Sequence, residues 1–206
     1  MKRSLIIIII ILTVDQVSKF WIKTNMTLGQ DFHVIGNWFL IHFTENPGMA
    51  FGLEFGGEHG KLILTLLRLV AVTFIGFYLV HLHRKKAMFL LIFCVSLIMA
   101  GALGNIIDSV FYGVIFSESS FFERAVFLPE GGGYAPLLHG NVVDMFYFPI
   151  IQGYYPEWFP IKGGDEFIFF RPVFNVADSS ITTGVLILII FQKRLFHVEP
   201  AKEHKT

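Results

Sequence analysis

Asp144, in HGNVVDMF, and Asp178, in FNVADSSI, are the residues of this chain best suited to chemistry. Asp178 opens the last apolar run, Ile181 to Phe191, where an ionised carboxylate is costly and usually serves a function. Two carboxylates facing each other there can share one proton and activate a water molecule between them. They are separated by 34 residues in sequence, so other elements must bring them together.

Those elements are membrane spans. The chain has 206 residues, 54% hydrophobic and 16% charged. Soluble chains carry roughly 25% charged residues, so this one is depleted where water would demand charge. Its apolar runs approach the ~20 residues needed to cross a bilayer core. Four spans are expected, at about residues 4–23, 62–82, 87–107 and 178–195. The first apolar run follows Lys2 and Arg3 and meets no small-residue cleavage site, so it reads as an uncleaved span rather than a signal peptide.

Basic residues collect before the first span, between the second and third, and after the fourth. The positive-inside rule then puts both termini in the cytoplasm. The connections 24–61 and 108–177 face outward, so Asp15, Asp108, Asp144 and Asp178 all fall toward the outer side. The chain is expected to be one membrane-embedded domain over residues 1–206.

Residues 32 to 43, with Gly36 and Asn37 as a turn, read as a β-hairpin. The connection 109–177 is dense in aromatics and prolines. It reads as short strands and loops on the membrane surface, with aromatics at the headgroup level. The expected fold is therefore membrane α-helical: four transmembrane helices with a small outward-facing β-rich cradle.

Asp15 and Lys19 lie four residues apart on one helix face, acid first, and are expected to pair. Ala100, Gly101 and Gly104 allow close helix approach ahead of Asn105 and Asp108. Asn175 is the expected N-cap of the last span, easing the charge on Asp178. Arg68 interrupts the second span and is expected to extend its head outward along its stem.

Other chemistries find no support. A net charge of zero argues against a nucleic-acid partner. The eight histidines and lone Cys94 show no metal-ligand spacing, no cofactor is implied, and no Gly-x-Ser-x-Gly elbow appears. A proton-coupled carrier or assembly subunit using Asp15, Lys19 and Asp108 is the alternative, and it predicts acids spread through the membrane's depth.

Five motifs in order resemble bacterial lipoprotein signal peptidase (signal peptidase II, aspartic peptidase family A8). They are Asp15-Gln16 with Lys19, Asn46-x-Gly48-x-Ala50-Phe51-Gly52, Gly101-Ala-Leu-Gly104-Asn105-x-x-Asp108, Val142-Val143-Asp144, and Phe174-Asn175-x-Ala177-Asp178. The resemblance implies an inner-membrane endopeptidase that cuts just before a diacylglyceryl-modified cysteine of a prolipoprotein. It implies a catalytic dyad of Asp144 and Asp178, supported by Asp15, Lys19, Asn46, Gly48, Gly104, Asn105, Asp108, Asn175 and Ala177. It also implies a monomer in contact with membrane lipids and a small outward helix beside the cradle. The family usually carries Arg directly after the third-motif aspartate, where this chain has Ser109. Arg124 and Arg171 are the expected substitutes.

Overall fold

A computed structural model describes residues 1–47, 57–160, 164–169 and 172–196. Helix α1 spans Lys2–Asn25, α2 spans Gly57–Arg84 and α3 spans Phe89–Ile107. The link between α2 and α3 is the expected tight turn, with Lys86 in the left-handed region at φ 50°. Among the described residues three helical segments, Lys2–Asn25, His59–Arg84 and Phe89–Ile115, are long and apolar enough to cross a membrane.

The last helix, α5, covers Val176–Ile190. Its 15 residues give about 22 Å of rise, less than the ~30 Å hydrocarbon core. The expected span to residue 195 is thus interrupted at Phe191, and a short helix, α6 (Gln192–Phe196), follows. The basic ends of α1 and α2 meet: the Met1 amino group lies 3.0 Å from His83 Nδ1. Leu195 packs into the same end, against the cluster containing Ile8, Leu82 and Leu91.

Helix α1 is built inside-out relative to a helix in water. Asp15, Lys19 and Lys23 are buried, whereas Ile6, Ile9, Ile10, Val17 and Trp21 are exposed. Polar groups inside and apolar groups outside is the solution that a hydrocarbon solvent demands.

Helix α3 packs closely on α5 because two glycines let it. A Cβ on Gly101 would stand 2.2 Å from the Ala177 carbonyl oxygen, and one on Gly104 would stand 3.1 Å from Ala177 Cβ as well as 2.6 Å from Asp15 Oδ2 on α1. Backbone cannot yield as a side chain can. Gly101→Val is therefore expected to destabilise by about 3 kcal/mol, the upper end for overpacking. Gly76→Val, whose nearest neighbour is Met99 Cε at 3.5 Å, should leave thermal unfolding in detergent unchanged. Equal melting of the two variants would refute the close-approach argument.

Beyond Ile107 the chain widens into one π-helical stretch, Asp108–Tyr112, and ends in the single turn α4, Gly113–Ile115. Among the described residues no other helix lies in the two connections, so the small separate outward helix is not found there. The expected hairpin forms from β1 (Asp31–Ile35) and β2 (Phe39–Asn46). Strands β3 (Val142–Tyr147) and β6 (Val173–Phe174) extend it into a sheet of order β1-β2-β3-β6. A separate hairpin joins β4 (Ile151–Tyr154) to β5 (Glu166–Phe169).

Candidate active site

Two strand pairs close the gap between Asp144 and Asp178. Antiparallel β3 and β6 pair Phe146 with Phe174 and Tyr147 with Val173. Asp144 precedes that contact on β3, and β6 runs directly through Asn175 into α5. On its other edge β3 pairs with β2, setting Thr44 opposite Asp144. The register shifts between Ile41 and Thr44, where β2 carries one extra residue beside Asp144, a bulge that re-aims neighbouring side chains.

Asn175 joins the two carboxylates. As N-cap of α5 it accepts from Asp178 N at 2.9 Å, while its own backbone N–H donates to Asp178 Oδ2 at 3.3 Å. These reciprocal bonds are a capping box with aspartate in the third position, and the helix N-terminus favours the negative charge. The Asn175 amide nitrogen also lies 2.6 Å from Asp144 Oδ1 and 3.1 Å from Asn105 Oδ1. Asn105 donates to Asp178 Oδ1 at 2.8 Å, and Asn46 approaches Asp144 Oδ2 at 3.4 Å.

Asp144 is 3% exposed. Burial, then the nearby charge of Asp178, pushes its carboxyl up to about 7, against weaker opposing effects of Lys19, Asn175 and Asn46. The two acids thus sense each other, and one of them is poised to hold a proton near neutrality.

A charged foundation underlies this pair. Fully buried Lys19 contacts Asp15 Oδ2 at 2.9 Å, Asp108 Oδ2 at 2.8 Å and Asn105 Oδ1 at 2.9 Å. Three acceptors match the three N–H bonds of the ammonium. Asp15 Oδ1 accepts from Ala177 N at 2.9 Å, tying α1 to the first turn of α5. Gln16, named only as a motif neighbour in sequence, stitches α1 to α3: its amide lies 2.9 Å from Asp108 Oδ1 and 3.2 Å from Gly104 O. Val143 N approaches Asp108 Oδ2 at 3.3 Å, which links the foundation to the strand bearing Asp144.

Asp15, Lys19, Asn46, Gly104, Asn105, Asp108, Asn175 and Ala177 are therefore brought around Asp144 and Asp178. Gly48 lies outside the described residues. Arg68 departs from expectation: its guanidinium turns inward and donates to Ser109 Oγ at 3.3 Å. Its charge acts on Asp178, Asp144 and Asp108. Arg68 from α2 therefore supplies a cation near Ser109; Arg124 is exposed on the surface, and Arg171 lies outside the described residues.

Sequence reasoning also missed a second buried cluster. Lys23 bonds the Glu45 carboxylate, which accepts from Ser119 Oγ at 2.6 Å and Asn141 Nδ2 at 2.9 Å. Lys61 Nζ in turn donates to Asn141 Oδ1 at 2.5 Å. Glu45 adjoins Asn46, so this cluster fixes the strand end that reaches Asp144. The spacing of Lys19 and Lys23 on the acid-bearing face of α1 was the available signal.

Residues 7–194 match the family model described as Signal peptidase (SPase) II, peptidase A8. The chain belongs to this family. A protein of Porphyromonas gingivalis named lipoprotein signal peptidase is 54% identical over 189 residues, covering 91% of this chain and 81% of that one. One of the same name from Amoebophilus asiaticus is 36% identical, covering 97% and 81%. A solved structure described as a bacterial membrane enzyme determined by the in meso method matches at TM-score 0.62 and 28% identity. It covers 100% of this chain and 96% of that one. The family's helical membrane fold and β-cradle are those described above.

Proposed function

We propose that this protein removes the signal peptide from diacylglyceryl-modified prolipoproteins, cutting just before the lipidated cysteine, with Asp144 and Asp178 as its catalytic dyad. The observation that carries the reading is the linkage of both carboxylates through Asn175, with Asp144 raised by burial and by Asp178. Asp144 holds the proton and donates toward the scissile carbonyl oxygen. Asp178, kept at a helix N-terminus, takes a proton from water as it attacks the carbonyl carbon. Collapse of the tetrahedral adduct returns a proton to the leaving amine. Asn175, Asn105 and Asn46 orient the pair. Gathering of the acids at one end of the bundle favours this reading over a carrier, whose acids would be spread through the membrane.

The protein works as one membrane-embedded unit over residues 1–206, as a monomer in the bacterial inner membrane. Both termini face the cytoplasm, the site lies near the outer face, and the substrate's acyl chains lie among membrane lipids. The test is cleavage of a purified diacylglyceryl-modified prolipoprotein in nanodiscs. Cleavage before the modified cysteine is expected, and none of the unmodified precursor. Ion flux in liposomes without cleavage would overturn the reading.

The pH profile follows from Asp144. Its folded value, about 7, exceeds the ordinary 3.8, so the folded state retains the proton across that interval and the site loses it as pH rises. The rate is therefore expected to fall on an alkaline limb centred near pH 7, reported as a property of the pair. A rate unchanged between about pH 6 and about pH 9, roughly one unit below and two above the midpoint, would contradict the proton's role.

A further inference from the structure

The connection between α4 and β3 contains a hairpin-like segment, residues 117–128, fastened to the site end of α1. Ser117 N donates to Val126 O at 2.9 Å, and Leu128 N donates to Ile115 O at 2.8 Å. Ala125 N donates to Lys23 O in the last turn of α1 at 3.2 Å, and Ser120 O accepts from Leu28 N at 2.9 Å. Ser119 joins the Lys23–Glu45 pair from below. At the tip, Ser120 Oγ accepts from the backbone of Phe122 and Glu123 at 3.2 and 2.8 Å.

This tightly tied segment holds its apolar side chains outward. Phe122 is 92% exposed, Phe121 69% and Leu128 63%, with Val126 and Phe127 also exposed. A patch of this kind on a surface facing water would be unusual. It is continuous with the apolar face of α1: the Phe127 ring lies 5.1 Å from the Phe20 ring, beside exposed Val17 and Trp21. Glu123 and Arg124 flank the tip and limit how far it can sink.

We propose that residues 117–128 form a membrane anchor that inserts Phe121 and Phe122 into the phospholipid leaflet at the site end of α1. The occupant of the patch is lipid because the patch prolongs a lipid-facing helix surface, and aromatic side chains favour that boundary. Through Ser119, Glu45 and Asn46 the anchor is joined to the strand beside Asp144, so it holds the site at a set height above the bilayer core. This rests on reading α1 as a membrane span, but not on the dyad.

The test places a nitroxide label at Phe121→Cys or Phe122→Cys in phospholipid nanodiscs. Cys94, the chain's one cysteine, is fully buried, so the unsubstituted protein is the labelling blank. Collisions with oxygen and with a water-soluble nickel chelate report depth. Val17→Cys sets the lipid value and labelled glutathione the aqueous value. Both tip labels are expected to shift from the aqueous value toward the lipid value. Aqueous values at the tip with a lipid value at Val17 would overturn the anchor alone. Exclusion of both oxygen and chelate would also overturn it, indicating a protein against the patch. An aqueous value at Val17 as well would overturn the spanning reading and the anchor together.

Discussion

Asp144→Asn is expected to reduce cleavage of the lipid-modified precursor by roughly 10³-fold or more, within the range for loss of a general acid or base. The substitution preserves volume, and its amide oxygen still accepts from Asn175, so the loss can be assigned to the missing proton exchange. Stability separates the two explanations. The folded protein binds a proton at Asp144 more tightly than the unfolded chain, so that contribution is fully present below about pH 3.8 and is lost as pH rises through about 7. An amide has no such charge to bury. Above pH 7 the variant should therefore melt at or above the wild-type temperature while remaining inactive. Turnover within about tenfold of wild type would remove Asp144 from the chemistry. Asp178→Asn should also be inactive, but it also disturbs the cap of α5, because Asp178 Oδ2 accepts from the Asn175 backbone at 3.3 Å while Oδ1 accepts from Asn105 at 2.8 Å.

Lys19→Met is expected to have the largest effect on stability. Lys19 satisfies Asp15, Asp108 and Asn105 with its three N–H bonds and is fully buried. Its loss leaves two carboxylates facing each other without a cation, a defect costing about 3–5 kcal/mol. For a chain of this size that corresponds to a fall of roughly 10 °C in melting temperature. Adding Asp108→Asn to Lys19→Met removes one of the stranded charges and should recover part of the loss. Melting of Lys19→Met within about a degree of wild type would show that the ammonium is not what holds α1 to α3.

Much of this arrangement was legible because it is written in short range. Helix spacing predicts the Asp15–Lys19 pair, Gly36-Asn37 marks the β1–β2 turn, and Asn175 three residues before Asp178 signals the capped start of α5. What was hidden depends on distant partners. Nothing near Arg68 says that it turns inward to Ser109, and nothing near Glu45 says that Ser119 and Asn141 converge on it. The β3–β6 contact has only two residue pairs, too little to stand out among the aromatic residues of the connection. The break at Phe191 falls where the apolar run gives way to Gln192, Lys193 and Arg194, so the end of hydropathy marks the end of α5 and the expected span to residue 195 runs past it.

The contact between β6 and β3 also sets a schedule. Ribosomes deliver this chain from its amino end, so α1 and α3 can bury Lys19 with Asp15 and Asp108 while the last helix is still unmade. Asn175, Ala177 and Asp178 emerge 31 to 34 residues after Asp144. Until they arrive, Asp144 lacks both its bridging amide and its partner acid. On the dyad proposed above, the nascent chain therefore cannot cut until α5 has inserted beside α3.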